Sequence, residues 1–274
     1  MMIDALRLDP GHAERINVKV TNHIAHVRLN RPDKMNALDP AMFTAIIAAG
    51  DALRDAPGVR VVVLSGEGRS FCAGLDTASF ARMPDPAEPP LHERTHGNAN
   101  RYQEVAMTWA KCPVPVIAAI HGVCFGGGLQ IASGADIRIA DPQARLSIME
   151  MKWGLVPDMG GFALWRGLVR TDSLRELVYT NREVTGTEAQ ALGLVTHLDP
   201  DPLARAMALA ATIVARNPEA VREAKALFAA MPDADTDALL LAESEAQARV
   251  IRRPNQVEAV MAGMEKRAAR FVDG

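Results

Sequence analysis

The chain has 274 residues, about half of them apolar and about a quarter charged, which is enough to bury a core without disulfide or metal staples. A net charge of -3 and few aromatics exclude a nucleic-acid binder, which needs clustered Lys and Arg or stacking platforms. Three cysteines, Cys72, Cys112 and Cys124, without paired or zinc-like spacing, argue for a reducing compartment, and no metal is expected.

In chain order, the opening MMIDALRLDPGHAER lacks a basic start and an apolar core, so it does not read as a secretory signal. INVKVT and HIAHVRLN read as two strands joined tightly at Asn22 and His23. DPAMFTAIIAAGDALRDA carries a capping Asp39, then Pro40, then apolar residues at helical spacing. VRVVVLSG is almost continuously apolar, as a strand covered on both faces should be. Residues 83–100, MPDPAEPPLHERTHGNAN, read as an exposed loop of the kind that forms lids or pocket walls. YQEVAMTWAKC is helical, PVIAAIHG a buried strand, GGGLQIASGA a short helix and DIRIAD a further strand. Together these form repeated ββα units of an α/β domain over residues 1–200. Residues 201–274 hold helical patterns separated by Pro or Asp, a second domain suited to assembly. No run of about 18 apolar residues is present, so a soluble, cytoplasmic protein without membrane contact is expected.

Two loops attract chemical interest. SFCAGLD, Ser70 to Asp76, follows the strand VRVVVLSG. The glycine triplet Gly126 to Gly128 lies between a buried strand and a helix. Small residues let a ligand approach the backbone and leave N–H groups unpaired. Each loop alone is an ordinary tight turn; two loops presenting amides are what an oxyanion hole requires.

LNRPDKMNAL, SFCAGLD, PVIAAIHGVCFGGG, ADIRIAD and GLVPDMGG occur in the order and spacing of the crotonase (enoyl-CoA hydratase/isomerase) superfamily, and EKRAARF resembles its C-terminal helix. The resemblance runs from about Ile16 to Phe271. It implies a crotonase, ClpP-like fold of ββα turns with a helical C-terminal region, and trimers, often paired into hexamers. It implies an acyl-CoA thioester substrate, coenzyme A being part of the substrate and no separate cofactor being needed. It further implies that the N–H groups of Leu75 and Gly127 hold the thioester oxygen as charge moves off the α-carbon. Ala73, Gly74, Asp76 and Gly126 flank those amides at the substrate. Lys34 and Lys266 match positions near coenzyme A, although either is also an ordinary surface lysine.

The acid–base positions decide the chemistry. Hydratases of the family carry a carboxylate where this chain has Gln130, which cannot exchange a proton at neutral pH. The second hydratase carboxylate is kept, twenty residues on, as Glu150, among Met149, Met151 and Trp153; burial there should raise its pKa. Asp158, eight residues further, resembles the partner acid of dienoyl-CoA isomerases, although those enzymes also carry an acid at the position of Gln130. The leading expectation is an enoyl- or dienoyl-CoA isomerase. In it Asp158 removes a proton at the far end of the unsaturated system and Glu150 exchanges one at the α-carbon. The alternatives are hydration of a 2-enoyl-CoA, with Gln130 placing the water, a non-catalytic acyl-CoA binder, and a serine peptidase using Ser133, for which no triad context exists. His121 reads as a structural hydrogen-bonding residue, Cys72 and Cys124 as buried small side chains, Trp109 and Trp165 as core. Trp153, Phe80 and Met83 are candidate acyl-pocket walls.

Overall fold

The computed structural model describes residues 10–81 and 88–273. The first strands, β1 (Ile16–Thr21) and β2 (Ile24–Leu29), pair antiparallel, and Asn22 and His23 between them both have positive φ (51° and 65°). That is the backbone of a two-residue turn matching the right-handed strand twist, and Asn tolerates it well. The strands β3 (Val61–Gly66), β4 (Val116–Ile120), β6 (Ile137–Ala140) and β9 (His197–Leu198) follow in parallel. They complete a six-stranded sheet of order β1-β2-β3-β4-β6-β9. A smaller sheet, of order β5-β7-β8, is made by β5 (Val123–Phe125), β7 (Arg145–Ser147) and β8 (Val184–Thr185). Each crossover passes through a helix, as parallel pairing demands.

The continuous apolar runs of β3 and β4 are explained by two covered faces. Val62, Leu64, Val116, Ala118 and Ile120 enter one core; Val61, Val63, Ile117 and Ala119 enter another on the opposite face. The first core is filled by the Pro40–Arg54 and Arg101–Ala110 helices, with Phe71, Trp109 and Trp165 fully buried. The second is closed by the Pro202–Val214 helix, whose Ala206 and Ala210 are small enough to let it lie flat on the sheet. The helical run that begins at residue 201 therefore starts inside the packed body. The helices Pro218–Ala230, Thr236–Val250 and Pro254–Met264 follow it.

Local sequence sets the helix starts. Asp39 accepts from Met42 N at 2.8 Å, and Asn100 and Gln103 form a reciprocal capping box. The last helix corrects the sequence reading. EKRAARF is not helical, because the helix stops at Met264. Lys266 adopts φ 55°, and the N–H groups of Lys266 and Arg267 turn back to Gly263 O and Ala262 O. This is a Schellman stop with lysine in the left-handed position. Arg267 is then held by Glu258 and Glu265.

Candidate active site

The SFCAGLD loop leaves β3 and is held by a buried residue from the segment before it. Asn36 is fully buried with φ 57°. Its Oδ1 accepts from Arg31 N at 2.8 Å, and its Nδ2 donates to Glu67 O, Ser70 O and Phe71 O at 2.9, 2.8 and 3.2 Å. Nearby, Leu38 N donates to Gly74 O and Asp76 N to Leu38 O. Asp76 pairs with Arg31 at 2.7 Å and accepts from Ala78 N, so its side chain anchors the loop end.

The glycine triplet is zipped to that loop. Cys72 N donates to Val123 O and Phe125 N to Cys72 O. Gly74, at φ 85°, lies so close that a Cβ there would fall 2.7 Å from Phe125 O and 3.6 Å from Gly127 N. The two backbones meet because neither has a side chain at the contact. Among the described residues, neither Leu75 N nor Gly127 N finds an acceptor. Both residues line a cavity of 520 Å³.

Glu150 opens a short 3-10 turn, Glu150–Trp153, on the wall of that cavity. Its Oε1 accepts from Gln130 Nε2 at 2.6 Å, while its Oε2 is buried with no partner among the described residues. Burial pushes the Glu150 carboxyl above its ordinary value; the Gln130 hydrogen bond opposes the rise and the charge of Asp158 adds to it. Asp158 lines the same cavity. Its side chain is open to the cavity space, yet the surrounding walls displace enough water for desolvation to raise its pKa as well. Two carboxyl groups, each more readily protonated than usual, therefore face one space. Such a pair is suited to taking and giving protons at a bound substrate.

Of the eleven site residues expected from the sequence, the structure gathers seven on the cavity: Ala73, Gly74, Leu75, Gly126, Gly127, Glu150 and Asp158. Gln130 is fully buried behind Glu150, and its Oε1 accepts from Met159 N and Gly161 N. Asp76 and Lys34 stand beside the loop without lining the cavity, Lys34 exposed. Lys266 is exposed beyond the last helix and is not brought to the cavity. Trp153 lines the cavity, half exposed. Met83 and the Phe80 side chain lie outside the described residues.

The remaining candidates have structural partners. His121 Nε2 bonds Gly68 O at 2.9 Å. Ser133 Oγ donates to Leu129 O and accepts from Trp165 Nε1, which leaves it no histidine partner for a peptidase triad. Cys72 is fully buried, and burial pushes its thiol up to about 12; burial raises Cys124 too. Among the described residues no group of His, Cys, Asp and Glu is arranged to hold a metal ion, and no helix is long and apolar enough to cross a membrane.

Sequence reasoning passed over Asn36, Phe43 and Tyr102. Phe43 and Tyr102 pack edge to face at 5.4 Å on the cavity wall, and Tyr102 Oη donates to Glu88. Asn36 had a local signal, an Asn in a polar turn, but its three carbonyl partners lie more than thirty residues away.

Comparison with known proteins agrees with this geometry. The enoyl-CoA hydratase/isomerase family model matches residues 19–274. The mitochondrial Delta(3,5)-Delta(2,4)-dienoyl-CoA isomerase of Rattus norvegicus is 32% identical over 93% of this chain and 82% of its own length. Enoyl-CoA hydratase domain-containing protein 2 of Bos taurus is 33% identical over 91% of this chain and 84% of its own. The crystal structure of enoyl-CoA hydratase from Bacillus anthracis superposes with a TM-score of 0.85 at 30% identity, covering 94% and 98% of the two chains. Fold and site define an enzyme that acts on acyl-CoA thioesters. The chain belongs to the enoyl-CoA hydratase/isomerase family of the crotonase superfamily.

Proposed function

We propose that the enzyme shifts double bonds along the acyl chain of an enoyl- or dienoyl-CoA. The observation that carries this reading is the placing of Glu150 and Asp158 on one cavity with the Leu75 and Gly127 loops, while the side chain at position 130 is a buried amide. On a 3,5-dienoyl-CoA, Glu150 takes a proton from C2. The electron pair moves onto the thioester oxygen, where the amides of Leu75 and Gly127 stabilise the dienolate. Asp158, protonated, delivers a proton to C6, and the 2,4-dienoyl product forms with no net change in composition. In reverse, Asp158 removes the C6 proton. Losing one amide donor from such a site costs about 3 kcal/mol of barrier. Similarity to a relative named a dienoyl-CoA isomerase supports the same reading.

The reaction needs no cofactor, because coenzyme A arrives as part of the substrate. Ala73, Gly74 and Gly126 shape the backbone around the thioester, Asp76 fixes the loop end through Arg31, and Lys34 is a candidate cation for the coenzyme A phosphates. Lys266 serves coenzyme A only across a subunit boundary. A homotrimer, or two trimers paired, belongs to this reading. It is supported by Phe228, Leu240, Leu241 and Met264, which are each more than half exposed on the C-terminal helices. A cytoplasmic location is the matching compartment for three free, buried cysteines.

The test is incubation with 3,5-dienoyl-CoA and with crotonyl-CoA, followed by ultraviolet absorbance and mass. Isomerisation moves the chromophore without changing mass; efficient formation of 3-hydroxyacyl-CoA from crotonyl-CoA defeats the isomerase reading in favour of hydration. Coenzyme A binding with no α-proton exchange in deuterium oxide marks a non-catalytic binder. Asp158→Asn should lower isomerisation by roughly 10²–10⁴-fold while leaving exchange at the α-carbon in place.

A further inference from the structure

The direction of the Leu75 amide is set by a short parallel bridge between Leu38 and Leu75. Leu38 N donates to Gly74 O at 2.8 Å, and Asp76 N donates to Leu38 O at 2.9 Å. In extended backbone the carbonyl before a residue and the N–H after it point to one side, while the residue's own N–H and carbonyl point to the other. Leu75 N–H is therefore turned away from Leu38, and it finds no acceptor among the described residues.

Two backbone hydrogen bonds hold such a bridge weakly, by about 1 kcal/mol each. The residues that follow the two partners are both aspartates, Asp39 after Leu38 and Asp76 after Leu75, and the Arg31 guanidinium lies between them. Its Nη1 is 2.7 Å from Asp76 Oδ2 and donates to Ala37 O at 3.0 Å; its Nε is 3.7 Å from Asp39 Oδ2. The three side chains are no more than 17% exposed, which protects them from the screening that makes surface ion pairs worth little. Asp39 is held from its other side by Arg15 at 2.9 Å and caps the Pro40–Arg54 helix, whose Phe43 lines the cavity. Hydrogen bonds from Ala78 N and from Arg31 keep the Asp76 carboxyl below its ordinary value, so it is charged at neutral pH.

We propose that Arg31 is a positioning residue that aims the Leu75 amide, by fastening together the two aspartates that follow the Leu38–Leu75 bridge. It acts through the backbone and through Asp76. The inference rests on Leu75 N–H being a donor to the thioester oxygen, and it holds whether the enzyme isomerises or hydrates. The task suits a planar fork; a lysine carries the same charge but presents it from a single point.

The experiment uses the full-length enzyme and acetoacetyl-CoA, whose enolate shares its negative charge with the thioester oxygen and absorbs at longer wavelength than the keto form. The bound enolate band grows as pH rises, and its midpoint reports how well that oxygen is stabilised. In Arg31→Met and in Asp76→Asn the midpoint should rise by about one pH unit, a tenfold loss of enolate stabilisation. Arg31→Lys should fall between the wild type and Arg31→Met. The two charge-removing variants separate position from charge. Loss of a cation by itself disfavours the enolate and loss of an anion favours it, so a through-space charge effect moves the two midpoints in opposite directions. That outcome overturns the proposal. Unmoved midpoints with a lower melting temperature, the mark of packing alone, overturn it too. Should Arg31→Met not fold, Asp76→Asn, which keeps the side-chain shape, decides alone. A wild-type enzyme with no enolate band at any pH sinks the reading of Leu75 as a donor, and this inference with it; a wild-type band that the variants leave in place sinks this inference only.

Discussion

Burial raises the pKa of Glu150, so the folded protein holds its charged form at a cost. The folded value lies above the unfolded one, so between the two the native state binds more protons. Stability is therefore greatest below the ordinary value of 4.5, falls as pH rises through the folded value, and then levels off. Glu150→Gln removes this dependence. Thermal melts from pH 4 to pH 8 should show the variant gaining on the wild type as pH rises, while turnover falls roughly 10²–10⁴-fold. Turnover that survives the change would refute the proposed base. Asn36 presents the opposite balance. It satisfies four backbone groups from a left-handed conformation, so Asn36→Ala should cost about 3 kcal/mol in denaturant melts. Activity should fall with stability, because those groups hold the Leu75 loop.

At the scale of elements, the site is a contact between two loops that leave two different sheets. Gly74 sits where they touch. A methyl there would meet Phe125 O at 2.7 Å, and φ 85° disfavours any side chain. Gly74→Ala should spread the two amides and lower kcat by roughly 10²–10³-fold, the loss expected for one oxyanion donor. The atoms the methyl would meet belong to Phe125 and Gly127 and not to the six-stranded sheet, so the melting curve should move less than for Asn36→Ala. These elements were largely legible beforehand. The continuous apolar runs of β3 and β4, the capping Asp39 and the Asn22–His23 turn are local chemistry, written in neighbouring residues. The end of the last helix was not. EKRAARF is a good helix former by composition, yet Lys266 turns left-handed and Arg267 and Arg270 fold back onto Glu258, so the helix ends at Met264.

At the scale of the whole molecule, the site lies on the face of the six-stranded sheet that carries the Pro40–Arg54 and Arg101–Ala110 helices, whose Phe43 and Tyr102 line it, and the later helices leave apolar residues uncovered. Leu240→Glu with Leu241→Glu should reduce the oligomer to smaller species in light scattering, with the folded core unchanged, if these helices carry the assembly. By itself the sequence determined the α/β class and the family, and it marked Glu150 and Asp158 as the candidate acid–base pair. Those follow from apolar periodicity and from motifs whose order along the chain can be read directly. Only the tertiary structure decided which way Gln130 points. Its amide takes its direction from Met159 and Gly161, about thirty residues away along the chain, and a hydrogen-bond partner at that distance is chosen by packing rather than by local pattern.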